Sequence, residues 1–175
     1  MGHELFGEEG ILWIFRLGLF VILVVHVISA LLVWRTSRAA RPVAYEKQHL
    51  VAATLSSRSM RWGGLLLGTF IFYHFLHLTT GSMHPTFIEG EVYRNIVLGF
   101  QQPLAVIAYV AGMTCLGLHL YHGIWSGLHT LGASSPRQGG WQRKLAASVA
   151  LLVVAGNISI PVAALIGIIP PGPLG

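Results

Sequence analysis

The sequence predicts an all-α fold, a transmembrane helical bundle. Three observations predict it. The 175 residues are 54% hydrophobic and 10% charged, whereas a soluble domain carries about 25% charged residues. Four runs reach the length of about 20 mostly apolar residues that a membrane-crossing helix needs. The basic residues gather beside those runs, as membrane topology demands. At this length the four spans form one domain covering 1–175, with no room for a separate soluble one.

The spans are expected, in order, at 11–34 ("ILWIFRLGLFVILVVHVISALLVW"), 60–80 ("MRWGGLLLGTFIFYHFLHLTT"), 101–130 and 145–169. The third is long enough to span with tilt. The fourth is expected to stop at "PPGP", Pro170–Pro173, because a proline ring and its missing N–H end a helix. Trp13, Trp34, Trp62, Trp125 and Trp141 fall at or near span ends, the position of an aromatic belt. Gly63, Gly64, Gly68, Gly123 and Gly127 suit close helix packing. Asn157 is expected to bond between helices and Pro161 to kink the last span.

Orientation follows from charge. Arg35, Arg38, Arg41, Lys47 and Arg58 lie in the first connection, with Arg61 at its edge. Arg137, Arg143 and Lys144 lie in the connection before the last span. The 80–101 connection holds only Arg94, beside Glu89 and Glu91. The positive-inside rule makes the first two cytoplasmic and the third external. Both chain ends then fall outside. "MGHELFGEEG" lacks a basic n-region and is no signal peptide, so a further span upstream of Met1 is expected.

Composition also excludes chemistries. Cys115 is the single cysteine, which rules out a disulfide framework and a thiolate metal site. All six acidic residues are glutamate, which argues against carboxylate-pair catalysis and hard-metal cages. The net charge of +5 is explained by membrane topology, with no nucleic-acid partner.

The informative residues are the histidines. "LGLHLYHGIWSGLHTLG", 116–132, keeps His119, His122 and His129 in and beside a strongly apolar run. With a rise of about 1.5 Å per residue, His26 lies about 12 Å and His119 about 15 Å below the cytoplasmic edge. The two are nearly level on different helices. His74 lies about 20 Å from that edge, in the outer half, and His77 is a turn further out. Two level imidazoles can hold one flat cofactor, and haem iron takes axial histidines in bundle cores. Ser29 and Ala30 after His26, and Gly117 and Gly123 around His119, leave room for a ring. One intramembrane histidine is accounted for by an interhelical hydrogen bond; three on three helices, two of them level, favour a ligand role. His122 remains an alternative to His119, and His77 to His74. His3, His49, His84 and His129 sit in loops or at interfaces, where solvation accounts for them.

Four ordered segments, "RAARPVAYE", "SRSMRWGGLLLGTFIFYHFLH", "LGLHLYHGIWSGLHTLG" and "NISIPVA", resemble the cytochrome b membrane-anchor subunit of bacterial succinate dehydrogenases and fumarate reductases. The likeness is to the type with five helices and two b haems, and it covers nearly the whole chain. It implies that these spans are helices two to five. His26 then falls on the second-helix haem ligand, His74 on the third and His119 on the fourth, while the fifth carries none. The family pairs the second- and fourth-helix histidines on the haem nearer the dehydrogenase. It pairs the third-helix histidine with one on a first helix, so His74 lacks its partner among these spans. One haem b is implied, or two where a first helix is supplied, for which a further small membrane subunit is a candidate source.

The resemblance further implies a flavoprotein and an iron–sulfur subunit as partners, a quinone, usually menaquinone, as redox partner, and the bacterial inner (plasma) membrane as location. Ser59, Arg61 and Trp62, at the cytoplasmic end of the second span, become candidates for holding haem propionates; positive-inside charge is the competing account of Arg61. No glycine-rich dinucleotide fingerprint or cysteine cluster is present, so the chain is not catalytic toward succinate alone. The alternatives are the b-type cytochrome of another respiratory dehydrogenase, such as a formate dehydrogenase or hydrogenase, and a cofactor-free structural or transport protein.

Overall fold

The computed structural model describes residues 8–40, 55–133 and 140–172, the side chains of 8, 9 and 55–59 apart. Every regular element among them is helical. The helices are α1 (Glu8–Ala39), α2 (Leu55–His74), α3 (Val92–Phe100), α4 (Pro103–Thr130) and α5 (Trp141–Leu165); α2 runs on as a π-helical turn, Phe75–Thr79. Among the described residues three stretches are long and apolar enough to cross a membrane: Gly10–Ala39, Pro103–Thr130 and Trp141–Leu165. The protein is an all-α helical membrane protein. The span expected at 60–80 falls on α2 and its π turn, which is not among the three; Arg58 and Arg61 load its first turns with charge.

The chain divides into two compact units, 1–50 and 51–175. The first contains α1. Near its two ends, guanidinium groups sit over indole rings, Arg16 over Trp13 at 5.2 Å and Arg38 over Trp34 at 5.3 Å. Each cation thereby keeps a favourable contact beside an apolar run.

In the second unit α4 packs against both α2 and α5, and α3 lies against α4 and α5. The core is gathered at the α3 end: Val97, Phe100, Val106, Tyr109 and Ala164, with Phe70, Tyr73 and Leu78 packed onto it. Two glycines let the helices close. A Cβ on Gly112 would run into the Phe70 ring, and one on Gly117 would lie 2.7 Å from the Val154 side chain. The glycines expected to serve packing do otherwise: a Cβ on Gly63, Gly68, Gly123 or Gly127 would touch nothing, and one on Gly64 would meet the His119 ring at 3.8 Å. Gly117, expected to clear space beside His119, faces Val154.

Several boundaries differ from expectation for local reasons. Pro103 opens α4 at its first turn, where its missing N–H costs nothing, and the expected 80–101 loop contains α3. The last helix stops at Leu165, ahead of the prolines. Gly167 adopts φ +77°, its N–H bonds to the Ala164 carbonyl, and that of Ile168 bonds to Ala163. This paired C-terminal closure needs the left-handed conformation that glycine adopts freely. Pro161 lies buried inside α5. Asn157, expected to bond between helices, instead donates from Nδ2 to the Val153 carbonyl of its own helix at 2.8 Å, which satisfies one of its polar groups within the apolar run.

Candidate functional site

The π turn after His74 widens the helix, closing with a bond from the Thr80 N–H to the Phe75 carbonyl at 3.1 Å. Such turns recur at functional sites. Here it carries His77 next to His74, and both rings meet one residue of α4. The Tyr109 hydroxyl lies 3.0 Å from Nδ1 of His74 and 3.2 Å from Nδ1 of His77. A hydroxyl has one proton to donate. It can donate to at most one of the two rings, so at least one ring donates its own Nδ1–H to the oxygen. Tyr109 is only 6% exposed and is fixed by edge-on contacts with Phe70 at 5.1 Å and Phe100 at 4.6 Å between ring centroids.

The two histidines differ in access. His77 is 1% exposed, with the Tyr73 ring stacked at 5.4 Å and the His84 ring at 5.2 Å. His74 is exposed and borders a cavity of about 440 Å³ that Phe70, Tyr109, Met113, Asn157 and Pro161 also line. That volume falls in the range of small-molecule and cofactor sites.

His84 is not solvated, as its loop position suggested; it is 6% exposed. Its Nε2 donates to the Asn95 carbonyl at 2.8 Å, and its Nδ1 accepts from the Thr86 N–H at 3.1 Å. A carbonyl only accepts, so this tautomer is determined. The Asn95 side chain exchanges two further bonds with the Ile88 backbone, at 2.9 and 2.7 Å. Gly99 makes the arrangement possible, since a Cβ there would lie 2.8 Å from His84 Nε2 and 2.9 Å from His77 Cε1.

His119 sits half-buried on α4, facing Gly64 of α2. Nothing lies within 4 Å of a Cβ built one turn along either helix, at Gly68 or Gly123. A flat group beside the imidazole would find smooth backbone on both helices. His122, one turn on, has a buried Nδ1 with no hydrogen-bond partner and its ring edge toward Trp125 at 5.8 Å. Trp125 also receives the Arg143 guanidinium at 5.2 Å, and His129 lies exposed beside it.

Of the other expected site residues, His26 is on α1, in the first unit, and the geometry above concerns the second. Arg61 and Trp62 are exposed at the start of α2, which suits contact with charged groups. The Ser59 side chain, His3 and His49 lie outside the described residues. Sequence reasoning passed over Tyr109 and Asn95 and assigned His84 to solvent. The available signal for Tyr109 was a hydroxyl inside an apolar run, ten residues before His119.

The residues present fit haem on two counts: an imidazole facing glycine-lined backbone, and an exposed imidazole, tied at Nδ1, on a cofactor-sized cavity. Among the described residues no group of three or more His, Cys, Asp or Glu is placed to hold a metal ion; axial haem ligation requires none. No protein-family model matches the chain, and neither a curated protein nor a solved structure matches it.

Proposed function

We propose that this chain is the haem b-binding membrane anchor of a succinate:quinone oxidoreductase in the bacterial inner membrane, relaying electrons between an iron–sulfur subunit and membrane quinone, menaquinone by preference. The observation that carries the reading is His119: an imidazole deep in an apolar helix, turned to Gly64, with open backbone at Gly68 and Gly123. It supports the ligand assignment that the ordered motifs imply. Haem, when bound, supplies a one-electron carrier inside the bilayer.

The chain's own residues have the remaining roles. His26 and His119 would be the ligands of the inner haem that the ordered motifs imply, and His74 a ligand of the outer one. Ser59, Arg61 and Trp62 would hold propionates. The basic segments that follow α1 and precede α5 dock the flavoprotein and iron–sulfur subunits by charge. The apolar faces of the helices keep water and competing proton chemistry away from the carriers.

The experiment is purification from native membranes, with a reduced-minus-oxidised optical spectrum and identification of the subunits that travel with the chain. A low-spin b-type spectrum with a covalent-flavin subunit is expected. A b-type spectrum with molybdenum or nickel subunits transfers the chain to another respiratory dehydrogenase. No haem spectrum at all leaves a structural or transport role.

A further inference from the structure

We propose that Tyr109 is the positioning residue of His74, setting its tautomer and tuning the haem it holds. The inference rests on His74 being a haem ligand. Ligation uses one ring nitrogen. Nδ1 of His74 is 3.0 Å from the Tyr109 hydroxyl, so Nε2 is the nitrogen left for iron, and Nδ1 keeps its proton. That proton can only be donated to the Tyr109 oxygen. The hydroxyl proton of Tyr109 is then directed to Nδ1 of His77 at 3.2 Å, and His77 carries its own proton on Nε2.

A metal-ligating imidazole commonly donates its second N–H to an acceptor that fixes its orientation and raises its basicity. Tyr109 is built for that duty. It is held by Phe70 and Phe100 and is 6% exposed. Its own proton has a fixed outlet, because His77 is clamped between Tyr73 and His84. His84 in turn is locked by Asn95 and Thr86. Hydrogen bonds and one ring stack, His77 on His84, connect the 80–91 loop to the ligand. A packing-only role for Tyr109 requires its ring; this role requires its oxygen.

The test uses the complete complex from native membranes, with potentiometric titration of each haem and its low-spin electron paramagnetic resonance signal. His74→Ala first establishes which haem is concerned: loss of one haem is expected. Tyr109→Phe should keep both haems. It should raise the midpoint of the His74 haem alone, since a less basic imidazole stabilises the ferric state less. The expected size is about tenfold in the reduction equilibrium, about 59 mV for one electron. Phe100→Leu, which loosens the ring contact and keeps the hydroxyl, should leave that midpoint within about twofold, or roughly 18 mV on the same scale. Should Tyr109→Phe fail to assemble, 3-fluorotyrosine at 109 preserves the ring and weakens the oxygen as acceptor; a smaller rise in the same direction is expected. An unmoved midpoint in the oxygen variants, or an equal shift in Phe100→Leu, overturns the positioning role and leaves the haem assignment standing. Retention of both haems in His74→Ala overturns the assignment and this role together.

Discussion

Gly64 of α2 faces His119 of α4 so closely that a Cβ on the glycine would rest 3.8 Å from the imidazole Cε1. That is ordinary van der Waals contact, so one methyl group is tolerated and a larger side chain is not. The relation ties the histidine's position to a backbone surface on another helix.

The first prediction follows directly. Gly64→Ala should retain the low-spin haem of His119. Gly64→Ile should displace the ring and lose it. Haem per polypeptide and the optical spectrum of the two variants check this; a normal spectrum in Gly64→Ile would mean that His119 is not the ligand.

A second prediction concerns helix closure. Gly117→Ala places a methyl group 2.7 Å from the Val154 side chain. Overpacking of this kind costs about 1–3 kcal/mol. Thermal unfolding in detergent should show the loss, and Val154→Ala in the same chain should recover most of it. Gly127→Ala, with nothing within 4 Å, should not destabilise.

The third prediction separates two histidines that sequence alone assigns alike to solvent. His84→Ala removes the side chain that donates to the buried Asn95 carbonyl and accepts from the part-buried Thr86 N–H, at a cost of about 1–3 kcal/mol for the buried partner. His129→Ala, at an exposed site beside Trp125, should cost less than His84→Ala. Equal stabilities would show that the His84 bonds are not made.

What was legible in the sequence was what local pattern determines. The long apolar runs mark α1, α4 and α5 because a membrane helix must be apolar over its own length. The nine-residue α3 escaped because it is short and amphipathic and lies among charged residues. The end of α5 was misjudged because Gly167 terminates the helix before Pro170 is reached. Sequence could not say which glycines face a neighbour, since that depends on the partner: Gly112 meets Phe70 and Gly117 meets Val154, while Gly63 and Gly123 meet nothing. The burial of His84 was invisible for the same reason, being made by Gly99 and Asn95 from another element. The histidines themselves stood out by residue type; Tyr109, whose hydroxyl lies 3.0 Å from Nδ1 of His74, had no motif to announce it.

The fourth prediction is topological. In a Cys115→Ser background, a cysteine replacing Glu89 should react with an impermeant thiol reagent in intact cells. One replacing Gln138 should be shielded until the membrane is opened. The positive-inside distribution of Arg35–Arg61 and Arg137–Lys144 requires this pattern, and the reverse pattern would invert the depth order of His74 and His119.

The most direct test of the central claim is the haem content of the native complex when either His26 or His119 is replaced by alanine. The account predicts that each single replacement removes the same low-spin b haem, by stoichiometry and by loss of the same redox component, while His129→Ala keeps it. Retention of that haem in His119→Ala, or loss of different haems in the two variants, would contradict the pairing on which the account rests.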